Sequence, residues 1–131
     1  MIIPEQVEKT LEIYEYYDGP LSSLVLLKDG RKALVEVFNW SHETSELWEI
    51  AVLIQDEELA KIKKEKPLVR EFLLQKVKSG AVYLWHYKNR LCNSTLMDEV
   101  ALLEFTKNMG EEYRFEGNAD DWNHLLEGCN G

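Results

Sequence analysis

Three histidines, two cysteines and 24 carboxylates are the residues of this 131-residue chain best equipped for chemistry, and their spacing limits what they can do together. His42 follows Ser41 in "NWSHET", but a nucleophile and its base are brought together by the fold and rarely by adjacency. No hydrolytic pair is read there. His86 and Cys92 stand six apart, and His124 and Cys129 five apart. Two such pairs would in principle fill a tetrahedral zinc site. Close zinc ligands usually leave about two to four residues between them. His86, however, lies in an alternating strand-like run, and Cys129 sits in a terminal "GCNG" expected to fray. Adjacent acids such as Glu57/Glu58 and Asp120/Asp121 point about 100° apart on a helix and do not share a proton. With no Gly-rich phosphate loop, nucleotide fingerprint or HExxH pair either, the expectation is no catalytic residue, no metal and no cofactor.

Aromatic residues and charge carry more. Tyr14, Tyr16 and Tyr17 precede the turn Asp18-Gly19-Pro20, and Trp40 and Trp48 flank an acidic stretch. Residues 41–58 hold six acids and no Lys or Arg. The net charge of −9 divides into −9 over residues 1–58, +7 over 59–90 and −7 over 91–131. So acidic a chain repels phosphate backbones, which argues against nucleic acid and for a basic protein partner. The leading expectation is a small acidic interaction or inhibitor protein of the immunity, antitoxin or phage counter-defence kind. It would dock a basic partner through Trp40, Glu43, Glu46, Trp48 and Glu49, with charge raising the encounter rate and tryptophan supplying affinity. The alternative is a ligand-binding or enzymatic domain with a pocket beside the turn, lined by Tyr16, Tyr17 and Asp18. A third reading is self-assembly into a homo-oligomer, the +7 segment of one chain meeting a negative segment of another.

The elements that must position these residues follow from turn chemistry and periodicity. The length suits one domain spanning residues 1–131. No apolar run approaches the ~18 residues of a membrane span. The first residues lack the basic start and apolar stretch of an export signal, and two cysteines make no disulfide framework, so the cytoplasm is the expected location. Val7 and Leu11, four apart, suggest a short helix, or else the entry to a strand through Ile13. Residues 24–28 and 31–38 read as strands joined by Asp29-Gly30 in a type I′ turn, with positive φ at both positions. That register sets Leu26 opposite Ala33 and Leu24 opposite Val35 in a hairpin central to its sheet. Residues 40–46 read as a polar loop and 47–54 as a third strand. Asp56 is read as a helix N-cap, with Pro67 closing that helix and opening the next. "AVYLWHY" is a further strand, followed by a helix over 96–108 and a short one over 121–127. Together these give an α+β domain: an antiparallel sheet built on the hairpin, with two to four helices packed on it.

The order of "YYDGP", three short apolar strands and a helix leading into "PLVREFL" resembles a family of uncharacterised bacterial domains with a YYDGP signature near the N-terminus. The resemblance rests on Tyr16, Tyr17, Asp18, Gly19 and Pro20, with Arg70 in support, and covers roughly residues 14–87. It implies a compact α+β domain of bacterial or phage type and carries no catalytic residue.

Overall fold

The structure, a computed structural model, describes residues 1–16, 20–107, 109, 112–115 and 119–126, with only the backbone at 16, 20, 121 and 123. Six strands form one sheet: β1 (Val7–Tyr16), β2 (Pro20–Leu27), β3 (Lys32–Ser41), β4 (Glu46–Ile54), β5 (Val82–Lys88) and β6 (Leu91–Leu96). All pairings are antiparallel and the spatial order is the chain order, a meander. Helices α1 (Asp56–Glu65) and α2 (Val69–Val77) lie between β4 and β5, and α3 (Glu99–Phe105) follows β6. The fold is α+β, with β3 and β4 at the centre of the sheet.

Several local expectations shift. The β2–β3 connection is a three-residue turn, because Gly30 N–H donates to the Leu27 carbonyl (2.9 Å) and Leu27 N–H to that of Arg31 (2.8 Å). Of the two turn residues only Gly30 has positive φ, at +92°. The Asp29 carboxylate accepts from the Arg31 backbone N–H at 3.0 Å, which fixes the extra residue in place. The register is therefore one residue from the expected one, with Leu24 opposite Leu34 and Val25 opposite Ala33. The supposed loop over 40–46 is shortened from both sides, with β3 running to Ser41 and β4 starting at Glu46. Residues 91–96, assigned no strand from sequence, form β6. Gln55 rather than Asp56 precedes α1, its N–H donating to Glu58, and Leu68 rather than Pro67 precedes α2. Asp98 caps α3 through the Ala101 N–H at 2.7 Å. The last described segment carries two short 3-10 turns where one helix was expected.

Both faces of the sheet are buried, by different means. Leu24, Leu34, Ile50, Val52 and Val82 meet Leu59 and Ile62 of α1, Phe72 and Leu73 of α2, and Leu102 of α3. On the other face Val25, Ala33, Val35, Ala51, Tyr83 and Trp85 surround Ile2. The Ile2 carbonyl accepts from Trp85 Nε1 (3.3 Å) and Ser94 Oγ (2.6 Å). The segment leading into the first strand thus closes over strands five and six.

Two stability outcomes follow. Gly30→Ala meets no atom within 4 Å of the new Cβ, so its cost is backbone strain alone, about 1 kcal/mol, readable as a lower urea midpoint at unchanged slope. Ile2→Ala, trivial at a loose terminus, empties a fully buried site and is expected to cost roughly 2–4 kcal/mol by the same measurement.

Candidate functional site

The expected acidic docking surface is divided by strand alternation. Trp40 pairs with Leu47 and Trp48 with Asn39, so the two indoles project from opposite faces of the sheet. Trp40 is 48% exposed. Trp48 stacks on the His86 ring, centroids 4.9 Å apart and nearly parallel. Glu46 Oε2 lies 2.6 Å from His86 Nε2, and the Thr44 and His86 side chains hold its carboxyl below the usual range. Glu49 belongs to the opposite face. Burial raises its carboxyl, offset in part by a hydrogen bond with Tyr87. Glu43 is exposed in the β3–β4 turn. Tyr17 and Asp18 lie outside the described residues, and Tyr16 is the last residue of β1.

His86 and Cys92 do not converge. His86 pairs with Asn93 and Tyr87 with Cys92, which puts His86 and Cys92 on opposite faces. Burial, with the charges of Glu5 and Glu49, pushes the Cys92 thiol up to about 11. His124 is exposed, and Cys129 lies outside the described residues. Among the described residues no three His, Cys, Asp or Glu side chains gather to hold a metal. Arg70 serves the fold, its guanidinium donating to the carbonyls of Thr106 and Met109 beyond α3.

A cavity of about 690 Å³ opens instead on the helix-covered face, between β1–β3, α1 and residues 113–115, 119, 120 and 126. β1 supplies its inner wall in an unusual way. The pairing of β1 with β2 skips Leu11 and Tyr14, breaking register between Thr10 and Glu12 and between Ile13 and Glu15. Each bulge re-aims the chain, so that Leu11 with Glu12, and Tyr14 with Glu15, line one cavity although they are sequence neighbours. Opposite, Lys63 of α1 holds Glu12 at 2.8 Å and stands 5.8 Å from the centre of the Tyr14 ring. The outer wall is tied down by backbone bonds, Val69 N–H to Tyr113 O (2.9 Å) and Phe115 N–H to Pro67 O (3.2 Å), and by Phe115 set edge-on to Phe72.

Two polar groups lie deep in this cavity. Glu36, in mid-β3 opposite Ser22 and Ile50, is 4% exposed. Ser22 Oγ donates to its Oε1 at 2.6 Å. Burial pushes the carboxyl up to about 8, the Ser22 bond opposes this, and the charge of Glu15 adds to it. Glu36 is therefore mainly a neutral acid at pH 7. Tyr14 is 8% exposed and its hydroxyl has no partner in hydrogen-bond geometry. Burial, then the charge of Glu12 and a hydrogen-bond interaction with it that falls outside good geometry, then the charge of Glu36, raise its phenol well above the ordinary value. From sequence Tyr14 stood out only as one of three tyrosines before the turn, and Glu36 did not stand out. An acid centred in an otherwise apolar strand, "ALVEVF", was the available signal for Glu36. Comparison with family models, curated proteins and solved structures finds no match.

The buried acid has a pH signature. Between its ordinary value of 4.5 and its folded value of about 8, the folded chain holds a proton that the unfolded chain has released. Glu36 then lowers stability as pH rises, by about 1.4 kcal/mol per unit, with no further change above pH 8. Glu36→Gln is expected to match wild type near pH 4.5, to be more stable at pH 8, and to remove that slope. Urea denaturation of both proteins across pH 4.5–9 measures the difference.

Proposed function

We propose that this protein is a small-molecule-binding domain whose ligand enters the cavity between β1–β3, α1 and residues 113–115, 119, 120 and 126. The observation that carries the reading is the cavity itself, which holds at depth the buried Glu36 and the Tyr14 hydroxyl, beside Glu12 but outside good hydrogen-bond geometry with it. Buried polar groups are nearly always well hydrogen-bonded, and a poorly satisfied one leaves room for a further partner. A volume of about 690 Å³ falls within the range of small-molecule sites. Bulges beside a concave site, apolar walls and few polar groups at depth are the usual composition of a ligand pocket. The pocket expected from sequence was a different one, beside the turn and lined by Tyr16, Tyr17 and Asp18; the β1 wall of this cavity is Leu11, Glu12, Tyr14 and Glu15.

Docking of a basic protein ranks second. It is supported by the exposed Trp40 near Glu43 at the β3–β4 hairpin, while Glu46 and Glu49 are engaged within the fold.

Tyr14→Phe separates a ligand role from a structural one. Because the Tyr14 hydroxyl meets Glu12 only outside good geometry, removing it is expected to leave the empty protein at least as stable as the wild type. Compounds that raise the melting temperature of the wild type in a thermal-shift screen should bind the variant roughly 10-fold more weakly. A destabilised Tyr14→Phe protein would show that the hydroxyl serves the fold, and a screen without hits would remove the reading.

A further inference from the structure

The charges around Glu36 narrow the ligand class. Two other acids line the cavity from the strands, Glu12 and Glu15 of β1. Asp120 lines the cavity from the opposite segment. The cations are Lys63 and Lys66 of α1 and its C-cap, and Arg114 beyond α3. None of the three is buried, since Lys66 and Arg114 are exposed and Lys63 is 46% exposed in its ion pair with Glu12. Tyr113 is exposed at the mouth. The charge that bears on Glu36 is that of Glu15, of the same sign. The deep end is thus a carboxyl near a carboxylate and a phenol, and the nearest cation, Lys63, is held at its edge by Glu12 with its ammonium 5.8 Å from the centre of the Tyr14 ring.

We infer that the ligand of this pocket is a small organic amine in its ammonium form, held by the ionised carboxylate of Glu36 and by the ring and hydroxyl of Tyr14. The inference rests on the small-molecule reading above. A carboxyl held neutral by its surroundings regains its charge when an opposite charge arrives, and the resulting charge-assisted hydrogen bond is among the strong ones. The phenol oxygen of Tyr14 accepts a second ammonium proton. The Tyr14 ring already attracts one ammonium, that of Lys63, and aromatic faces favour such cations. Leu11, Leu34, Leu59, Ile62 and Phe115 offer an apolar wall to a short alkyl or aryl body. The balance is simple: the protonated Glu36 carboxyl and the ammonium combine as an ion pair, and the carboxyl proton leaves to solvent.

Proton counting by calorimetry tests this on the full chain at pH 7. Benzylamine and cyclohexylmethylamine are titrated beside their alcohol counterparts, benzyl alcohol and cyclohexylmethanol, in phosphate and in MOPS, whose ionisation heats differ and neither of which carries a primary ammonium. The expected result is binding of an amine at least ~10-fold tighter than of its alcohol, with close to one proton released per ligand. Glu36→Gln should abolish the release and bring amine and alcohol together, while Tyr14→Phe weakens the amine and keeps the release. An alcohol binding as well as its amine, or amine binding without proton release, overturns the amine inference and leaves the small-molecule reading standing. Failure of both amines to bind also overturns it, and the pocket reading then stands or falls by its own thermal-shift screen.

Discussion

A wide antiparallel sheet exposes two faces, and both must be dried for the central strands to carry apolar residues throughout. This chain has helices on one face. The other is closed by Ile2, buried among Val35, Ala51 and Trp85 and fixed by two hydrogen bonds to its carbonyl. Small alanines at 33 and 51 beside a large indole at 85 give that face a shape one aliphatic side chain can complete. Everything on the helical side depends on this closure, because β3 and β4 place alternate residues on each face. Wetting one side would loosen the strands that hold Leu34, Glu36 and Ile50 on the other.

The bulges of β1 explain the cavity. A regular strand sends alternate residues to opposite faces. By dropping Leu11 and Tyr14 from the pairing, β1 turns both of these residues, three apart, and their neighbours Glu12 and Glu15 into one cavity. The spacing of Val7 and Leu11 that suggested a helix has no such basis, since Val7 packs on the Ile2 side of the sheet and Leu11 on the helical side.

Elsewhere, legibility followed how local the deciding interaction is. The strands around Asp29-Gly30, the acidic start and basic end of α1, and the aromatic strand β5 are governed by near neighbours and were read correctly in kind. The hairpin register turned on an Asp29 side chain adding one residue to the turn. β6, rich in polar residues, is a strand because β5 offers it an edge. The wall around Tyr113 and Phe115 is held by backbone bonds to the α1–α2 junction, which no local pattern announces. Tryptophans and surface acids drew attention to Trp40, Trp48, Glu46 and Glu49, yet alternation sends them to different faces. Composition registers how many charges there are; only pairing tells which share a surface.

The closure of the second face has a consequence for how the chain is made. A meander pairs each strand with the one just synthesised, and contacts close in sequence form quickly. The contacts of Ile2, like those of β1 with the 3-10 turns after residue 118, are exceptions, since Trp85 and Ser94 lie 83 and 92 residues further along. During translation the first hairpins can form with one face uncovered, and the segment carrying Ile2 has no seat until β5 and β6 have left the ribosome. At ~5–20 residues per second, that is an interval of several seconds in which Val25, Val35 and Ala51 lie open to water. The nascent chain is most in need of a chaperone in that interval.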